Sequence, residues 1–333
     1  MMWRVFLDLL AAARRPLVVV DFETAGLGGA PPVEFAVMIW APWRKVEDDE
    51  TTRSMIPHVP PGLTYACVQR VDPGQPIDPG AVAVHGIRDE DVRGVGLPAW
   101  NDLEVVGFFR GLEAGDAEES EGPAVWCGHN AHGADLAWSR RWGYLGGEVD
   151  AIDTMRLGRR LAKEHPHPLA VDGVTPLGGE FGSHVPAIGW GLDAFSSSLT
   201  GMHVALTGAR PDGAHGALHD CAATARVLCR MLEMWDTLWP PGRRDVPATA
   251  NLSALLAALD APEPGAVSWD GWLAQDTDGA LSWRKGKHRG KPPGFDADYA
   301  GWVSRLPRSP TGVDGDAWCS QHTADVLKSQ VRR

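Results

Sequence analysis

The chain has 333 residues, 44% of them hydrophobic and 22% charged, with a formal net charge of −12. That length and balance suit a soluble globular protein with one large core and room for a smaller module. The acidic total excludes a protein that coats nucleic acid non-specifically, though not an enzyme whose acids gather around cations and whose basic residues are local.

Residues 1–10 are apolar but interrupted by Arg4 and Asp8. The stretch is too short to span a bilayer and carries no cleavage site, so no membrane association is expected and a short helix docking on the domain is. Pro16-Leu-Val-Val-Val-Asp-Phe-Glu-Thr-Ala-Gly-Leu27 organises the rest. Its β-branched run reads as a buried central strand. Strand side chains alternate, so Asp21 and Glu23 project from one face. Two carboxylates side by side raise each other's pKa. Divalent cations, which hard oxygen ligands bind well, relieve the repulsion.

A turn-rich loop, Gly26–Pro32, leads to a second strand, Val33–Trp40, which starts with Glu34 and Phe35 near the acid pair. Residues 45–78 suggest a third strand and a long connection. Pro79–Val92 predicts a helical turn or two before His85-Gly86-Ile87, with Asp89 capping another helix. Alone, His85 reads as a packed loop histidine. A helix is expected over Leu103–Leu112, then an acidic loop near Asp116–Glu121. Ala124–Trp126 runs into Cys127–Arg141, a strand-to-helix junction with the helix starting near His132. Asp135 falls in its first turns, where a lone acid would complement the helix dipole. Val149–Leu161 reads as a short strand ending at Asp153, followed by a basic helix.

His165–Gly189 is rich in Pro, Gly and His and reads as a long loop. The spacing of His165, His167 and His184 is not a metal pattern. Trp190–Leu199 is the next expected helix, and Ala214–Leu232 a long Ala-rich one. Asp220 lies in the first turns of the latter, with His215 just ahead. The five cysteines, Cys67, Cys127, Cys221, Cys229 and Cys319, show no Cys-x-x-Cys spacing and read as reduced thiols of a cytoplasmic protein. The 15 tryptophans read as packing residues.

Asp21-Phe-Glu-Thr-Ala-Gly-Leu27, His129-Asn-Ala-His-Gly-Ala-Asp135 and His215-Gly-Ala-Leu-His-Asp220 together resemble the three motifs of the DEDD superfamily of 3′–5′ exonucleases, in its DnaQ-like, histidine-bearing branch. Val84-His-Gly-Ile87 and Ile152-Asp-Thr-Met-Arg-Leu157 resemble two accessory segments of that family. The likeness runs in order over about residues 16–235. It implies an α/β, ribonuclease H-like fold: a mixed central sheet flanked by helices. It also implies two divalent ions, Mg²⁺ or Mn²⁺, held by Asp21, Glu23, Asp135 and Asp220. Asp21 would bridge both ions, Glu23 and Asp220 would complete one coordination sphere, and Asp135 would act on the other ion. His215 would be the general base. His219 is the competing base, but neighbours on a helix diverge by about 100°, so it points away from the Asp220 carboxylate. Phe22, Thr24, Gly26, Leu27, His85, Ile87 and Asn130 would meet the 3′ end of the substrate. Ala25 stands where the family carries a second threonine, so that contact is not expected.

Trp239–Asp245 shifts to Pro and charge and reads as a linker, within an expected connection over 239–268 that holds a short helix at Asn251–Leu259. The divisions expected are an N-terminal helix over 1–15, an exonuclease domain over 16–238 and a small α+β module over 269–333. The module resembles the C-terminal unit of exonuclease X-like enzymes, in which a Gly-Lys-His-x-Gly-Lys turn precedes a Tyr-x-x-Trp helix (Tyr299 and Trp302 here). Arg284, Lys285, Lys287, Arg289 and Lys291 form a positive patch in an acidic protein, suited to a phosphate backbone, with Trp283 beside it to stack a base. The expected substrate is DNA, with single-stranded 3′ ends preferred and nucleoside 5′-monophosphates as products. RNA, and a proofreading role beside a polymerase or repair complex, are the alternatives; no residue here points to a protein partner.

Overall fold

The computed structural model describes residues 2–27, 30–44, 59–95, 103–116, 120–164, 197–211, 213, 215–233, 251–260, 266, 272–276, 278–306, 319 and 321–331. The connection at 45–58, the 165–189 loop with its three histidines, most of the helix expected at 190–199 and the linker at 239–245 lie outside them.

The first helix, α1 (Met2–Ala12), buries Trp3, Phe6 and Leu10 at helical spacing against the main core. Five strands follow the chain as β1 (Leu17–Thr24), β2 (Pro32–Trp40), β3 (Tyr65–Arg70), β4 (Val125–Gly128) and β5 (Ala151–Asp153). They form one mixed sheet in the order β3-β2-β1-β4-β5. The β1–β2 and β2–β3 pairs are antiparallel, while β4 and β5 add on parallel. A mixed α/β sheet flanked by helices is the arrangement the ribonuclease H-like resemblance implies.

Alternation along β1 and β2 decides which residues meet. Leu17, Val19, Ala36 and Met38 enter one core, with α1 and a long helix at Ala217–Glu233. Val18, Val20, Phe22, Phe35 and Val37 enter the other, under the helix Leu103–Ala114. Asp21 and Glu23 continue the first face, and so does Glu34 across the hairpin. The acids therefore point towards the start of the long helix rather than into the aromatic core. Both faces of β1 are buried, which is why its sequence is so uniformly apolar before the acids.

Among the described residues the other helices of this part are α2 (Pro79–His85), α3 (Asp89–Val92), α4 (Leu103–Ala114), α5 (Asp135–Arg141), α6 (Thr154–Glu164), α7 (Leu199–Thr207), α8 (Ala217–Glu233) and α9 (Leu252–Leu259). Several boundaries differ from expectation. Arg88 holds the N-cap position of α3 and its amide donates to Asp91 Oδ2 at 2.8 Å, while Asp89 accepts a hydrogen bond from the Ile77 amide at 2.9 Å. α5 begins at Asp135 rather than near His132, because the residues before it are held in a turn by Asp153. α7 begins where the helix expected over 190–199 was to end, capped by Ser198 on the Gly201 amide. α9 belongs to the main core: Leu252, Leu255, Leu256 and Leu259 pack there, and Arg160 donates to the Ala258 carbonyl at 2.8 Å.

The C-terminal residues form a two-stranded antiparallel ribbon, β6 (Leu273–Gln275) and β7 (Leu281–Trp283), with helices α10 (Ala297–Val303) and α11 (Gln321–Val331). They gather their own apolar cluster around Trp272, Leu273, Trp283, Val303 and Leu327. Among the described residues no helix is long and apolar enough to cross a membrane.

Candidate metal centre and nucleic-acid surface

Three elements deliver carboxylates to one place. β1 brings Asp21 and Glu23, and the first turn of α8 brings Asp220. One oxygen of each lies within 4.8 Å of the others. Asp135 opens α5, is buried, and is close enough for its charge to act on Asp21. Gly128 at the end of β4 makes room for it: a Cβ there would stand 3.1 Å from Asp135 Oδ2.

The electrostatics are those of crowded acids that raise one another. Burial pushes the Asp21 carboxyl well above its usual range, and Asp135, Asp220, Glu23 and Glu34 push it further. Glu23 is raised to about 8 by burial, then by Asp220 and Glu34. Asp135 is raised well up by burial, against the relief of hydrogen bonds from its own amide and that of Phe22. Asp220 is raised by burial, while the charge and the amide of His215 pull it back. Among the described residues no lysine or arginine makes an ion pair with any of the four. Crowded, partly buried hard oxygen donors of this kind fit a divalent cation better than they fit protons or a lone arginine.

His215 precedes α8 in a left-handed backbone conformation, with φ of +70°. It is exposed, and its backbone lies near enough to the Asp220 carboxyl to lower its pKa. His219 lies with its ring beside Gly213 and Gly216. His85 is fixed on both nitrogens. The Ile87 amide donates to Nδ1 at 3.0 Å, and Nε2 stands 3.1 Å from the Thr24 carbonyl, which can only accept. The ring is therefore the neutral Nε2–H tautomer, and burial lowers its pKa.

Of the other residues expected at the substrate, Leu27 is 89% exposed just past the acid strand. The Thr24 hydroxyl donates to the Gly26 carbonyl at 2.7 Å, tightening the turn between them. Asn130 adopts a φ of +66°, and its amide bonds Asp153. Two expectations need correcting. The Phe22 side chain points to the opposite face, packed among Phe35, Phe109, Trp142 and Tyr144, so only its backbone is at the site. Ile87 is likewise buried, with Ala25, Val33, Ile77 and Val92.

Two residues near the site, Asp153 and Glu34, have organising roles that the sequence pattern does not assign. The Asp153 carboxylate accepts from the amides of Asn130, His132, Met155 and Arg156 at 3.1–3.2 Å, tying the turn before Asp135 to the start of α6. Its signal was an Asp-Thr pair at a strand-to-helix junction, a helix-cap pattern. Glu34 sits directly opposite Glu23 in the hairpin. Only the register, which sequence does not print, puts it on the acid face.

In the C-terminal part Trp283 is 1% exposed, wedged against Trp272 and Tyr299, and cannot stack a base. Its neighbours do face solvent. Lys285 Nζ lies 4.5 Å over Trp272, Lys287 Nζ 4.9 Å over Tyr299 and Lys291 Nζ 5.7 Å over Phe295. Phe295 is 59% and Trp302 44% exposed. The turn carrying Arg284, Lys285, Lys287, Arg289 and Lys291 bends at Gly286 and Gly290, both with φ of +81°. A side chain at Gly286 would strike the Tyr299 hydroxyl.

No family model matches the chain, and neither does any curated protein. Similar solved structures are nucleases. Exonuclease X, in complex with 5′ overhanging duplex DNA, aligns at 22% identity and a TM-score of 0.36, over 66% of this chain and 92% of that one. Escherichia coli Exonuclease I with a dT13 oligonucleotide aligns at 18% identity and a TM-score of 0.42, over 67% of this chain. Exonuclease I from Methylocaldum szegediense aligns at 18% identity and a TM-score of 0.44. The chain spans 43% and 42% of these two Exonuclease I chains.

Proposed function

We propose that this protein is a metal-dependent 3′–5′ exonuclease that releases nucleoside 5′-monophosphates from DNA, single-stranded ends preferred. The observation that carries the reading is the meeting of the Asp21, Glu23 and Asp220 oxygens within 4.8 Å, next to the helix start that presents His215. Divalent ions bound there, Mg²⁺ or Mn²⁺, supply charge neutralisation of the phosphate and a more acidic water.

Asp21, Glu23 and Asp220 are the ligand set, with Asp135 completing the site from α5. His215 accepts the proton of the attacking water, a task suited to an imidazole whose unperturbed pKa is about 6.5. Asp220 lies beside the backbone of His215, which keeps the base at the edge of the acid cluster. His85, fixed as a neutral donor to the Thr24 carbonyl, braces the strand end that follows Glu23, and exposed Leu27 offers an apolar contact to the terminal base. The C-terminal basic turn binds the strand's phosphates, with Phe295 and Trp302 in the stacking role that Trp283 cannot take.

The test is incubation of end-labelled single- and double-stranded DNA and RNA with the protein, in Mg²⁺ and in chelator. Stepwise loss from the 3′ end is expected only with metal, fastest on single-stranded DNA, and absent in Asp21→Ala and His215→Ala. Equal degradation by wild type and Asp21→Ala would remove the reading.

A further inference from the structure

Glu34 is a buried acid that the proposed reaction does not use. It is 9% exposed and stands opposite Glu23 on one side and Arg70 on the other. Glu23, Glu34 and Arg70 thus form a row across three strands, on the face that packs α8. The two oxygens of Glu34 have separate partners. Oε2 accepts from Arg70 Nε at 3.3 Å, and Oε1 accepts from the Ala217 amide at 3.2 Å. Ala217 is the first residue of α8.

Amides in the first turn of a helix have no partner within the helix. A capping side chain just before a helix serves its second or third amide, so the first, that of Ala217, needs an acceptor from elsewhere, and Gly216 before it has no side chain in any case. Glu34 provides the acceptor from another strand. Holding a further carboxylate beside Asp21 and Glu23 is electrostatically unfavourable, so packing alone would be served better by a neutral side chain. Arg70 offsets the charge from the outer strand. The following turn of α8 has its own tether: the Cys221 thiol lies 3.5 Å from the Ala36 carbonyl and 3.7 Å from that of Val19. The contribution of Glu34 is therefore specific to the turn that carries His215 and Asp220.

We propose that Glu34 is a positioning residue: held by Arg70, it captures the Ala217 amide and fixes the start of α8 so that Asp220 meets Asp21 and Glu23. This rests on the reading of those three acids as cation ligands. Groups that orient metal ligands typically change metal affinity about 10–100-fold when removed.

The experiment is Mn²⁺ titration of the full chain without substrate, alongside hydrogen exchange of the segment containing Ala217, for wild type, Glu34→Gln and Glu34→Ala. Glutamine keeps an oxygen for the amide; alanine does not. Glu34→Ala should weaken Mn²⁺ binding about tenfold or more and speed exchange at Ala217, while Glu34→Gln restores most of both. Wild-type affinity and exchange in Glu34→Ala, or equal losses in the two variants, would overturn the role. Should Glu34→Ala unfold, Arg70→Met decides in its place, since Arg70 is half exposed: weakened Mn²⁺ binding supports the role and wild-type binding overturns it. A wild type that binds Mn²⁺ but degrades no strand would refute the nuclease and leave Glu34 standing. One that binds no Mn²⁺ would overturn both.

Discussion

Glu23→Gln should stabilise the metal-free protein while disabling it. The Glu23 carboxyl is raised from 4.5 to about 8 by burial, then by Asp220 and Glu34. Below about pH 4.5 folded and unfolded chains are both protonated at this residue, so it contributes nothing. Between 4.5 and 8 the unfolded chain has released a proton that the folded chain keeps, so stability falls as pH rises, by about 1.36 kcal/mol per unit. At pH 7 the accumulated loss is roughly 3 kcal/mol. Glutamine carries no such charge and escapes it. For a domain of this size roughly 2–4 °C accompanies each kcal/mol, so Glu23→Gln should melt roughly 6–12 °C above wild type at pH 7 in chelator. Thermal melts between pH 4.5 and 8 would read this, with the gap closing at the acid end. Saturating Mg²⁺ should raise the wild type preferentially, since it stabilises only the state that binds it. A Glu23→Gln protein that melts at or below wild type at pH 7 in chelator, or a gap independent of pH, would refute the reasoning.

Other expectations follow from single contacts. Asparagine tolerates the left-handed backbone of His215, so His215→Asn should leave the fold and Mn²⁺ binding intact while lowering turnover by about 10²–10⁴-fold; a wild-type rate of nucleotide release would exclude His215 as the base. Trp302→Ala should weaken binding of a single-stranded oligonucleotide in chelator by roughly 1–3 kcal/mol, read by fluorescence anisotropy, with no change in melting. Trp283→Ala should instead unfold the C-terminal part, costing about 3–5 kcal/mol; the reverse pattern would contradict the assignment. Asp153→Ala strips acceptors from four amides and should cost at least about 2 kcal/mol in a denaturant melt, with weaker Mn²⁺ binding; a neutral effect would mean that the Asn130–His132 turn holds itself.

What could be read from the chain, and what could not, divides along one physical line. Local periodicity carried the acid strand, since a buried β-branched run must alternate and Asp21 and Glu23 must share a face. It carried α8 as well, whose alanines and apolar spacing place Asp220 at the helix start. Pairing between distant segments did not show. Glu34 joins the acid face only through the β1–β2 register. Phe22, by contrast, leaves the site by the same local alternation that brings Asp21 and Glu23 together. Trp283 sits among lysines and arginines in sequence, which suggests a stacking platform, yet it is the last residue of a strand whose inner face needs a large apolar side chain. Its exposed counterparts, Phe295 and Trp302, lie on later elements, and only the packing of α10 against the ribbon sorts the aromatics into core and surface.

The proposed divalent-cation site comprises Asp21, Glu23, Asp135 and Asp220. Crystals grown with Mn²⁺ and measured at the manganese absorption edge test it without any assumption about substrate. An anomalous peak bonded by Asp21, Glu23 and Asp220 is expected, absent from crystals of Asp21→Asn. A peak elsewhere on the molecule, or an acid cluster that stays free of manganese at saturating concentration, would contradict it.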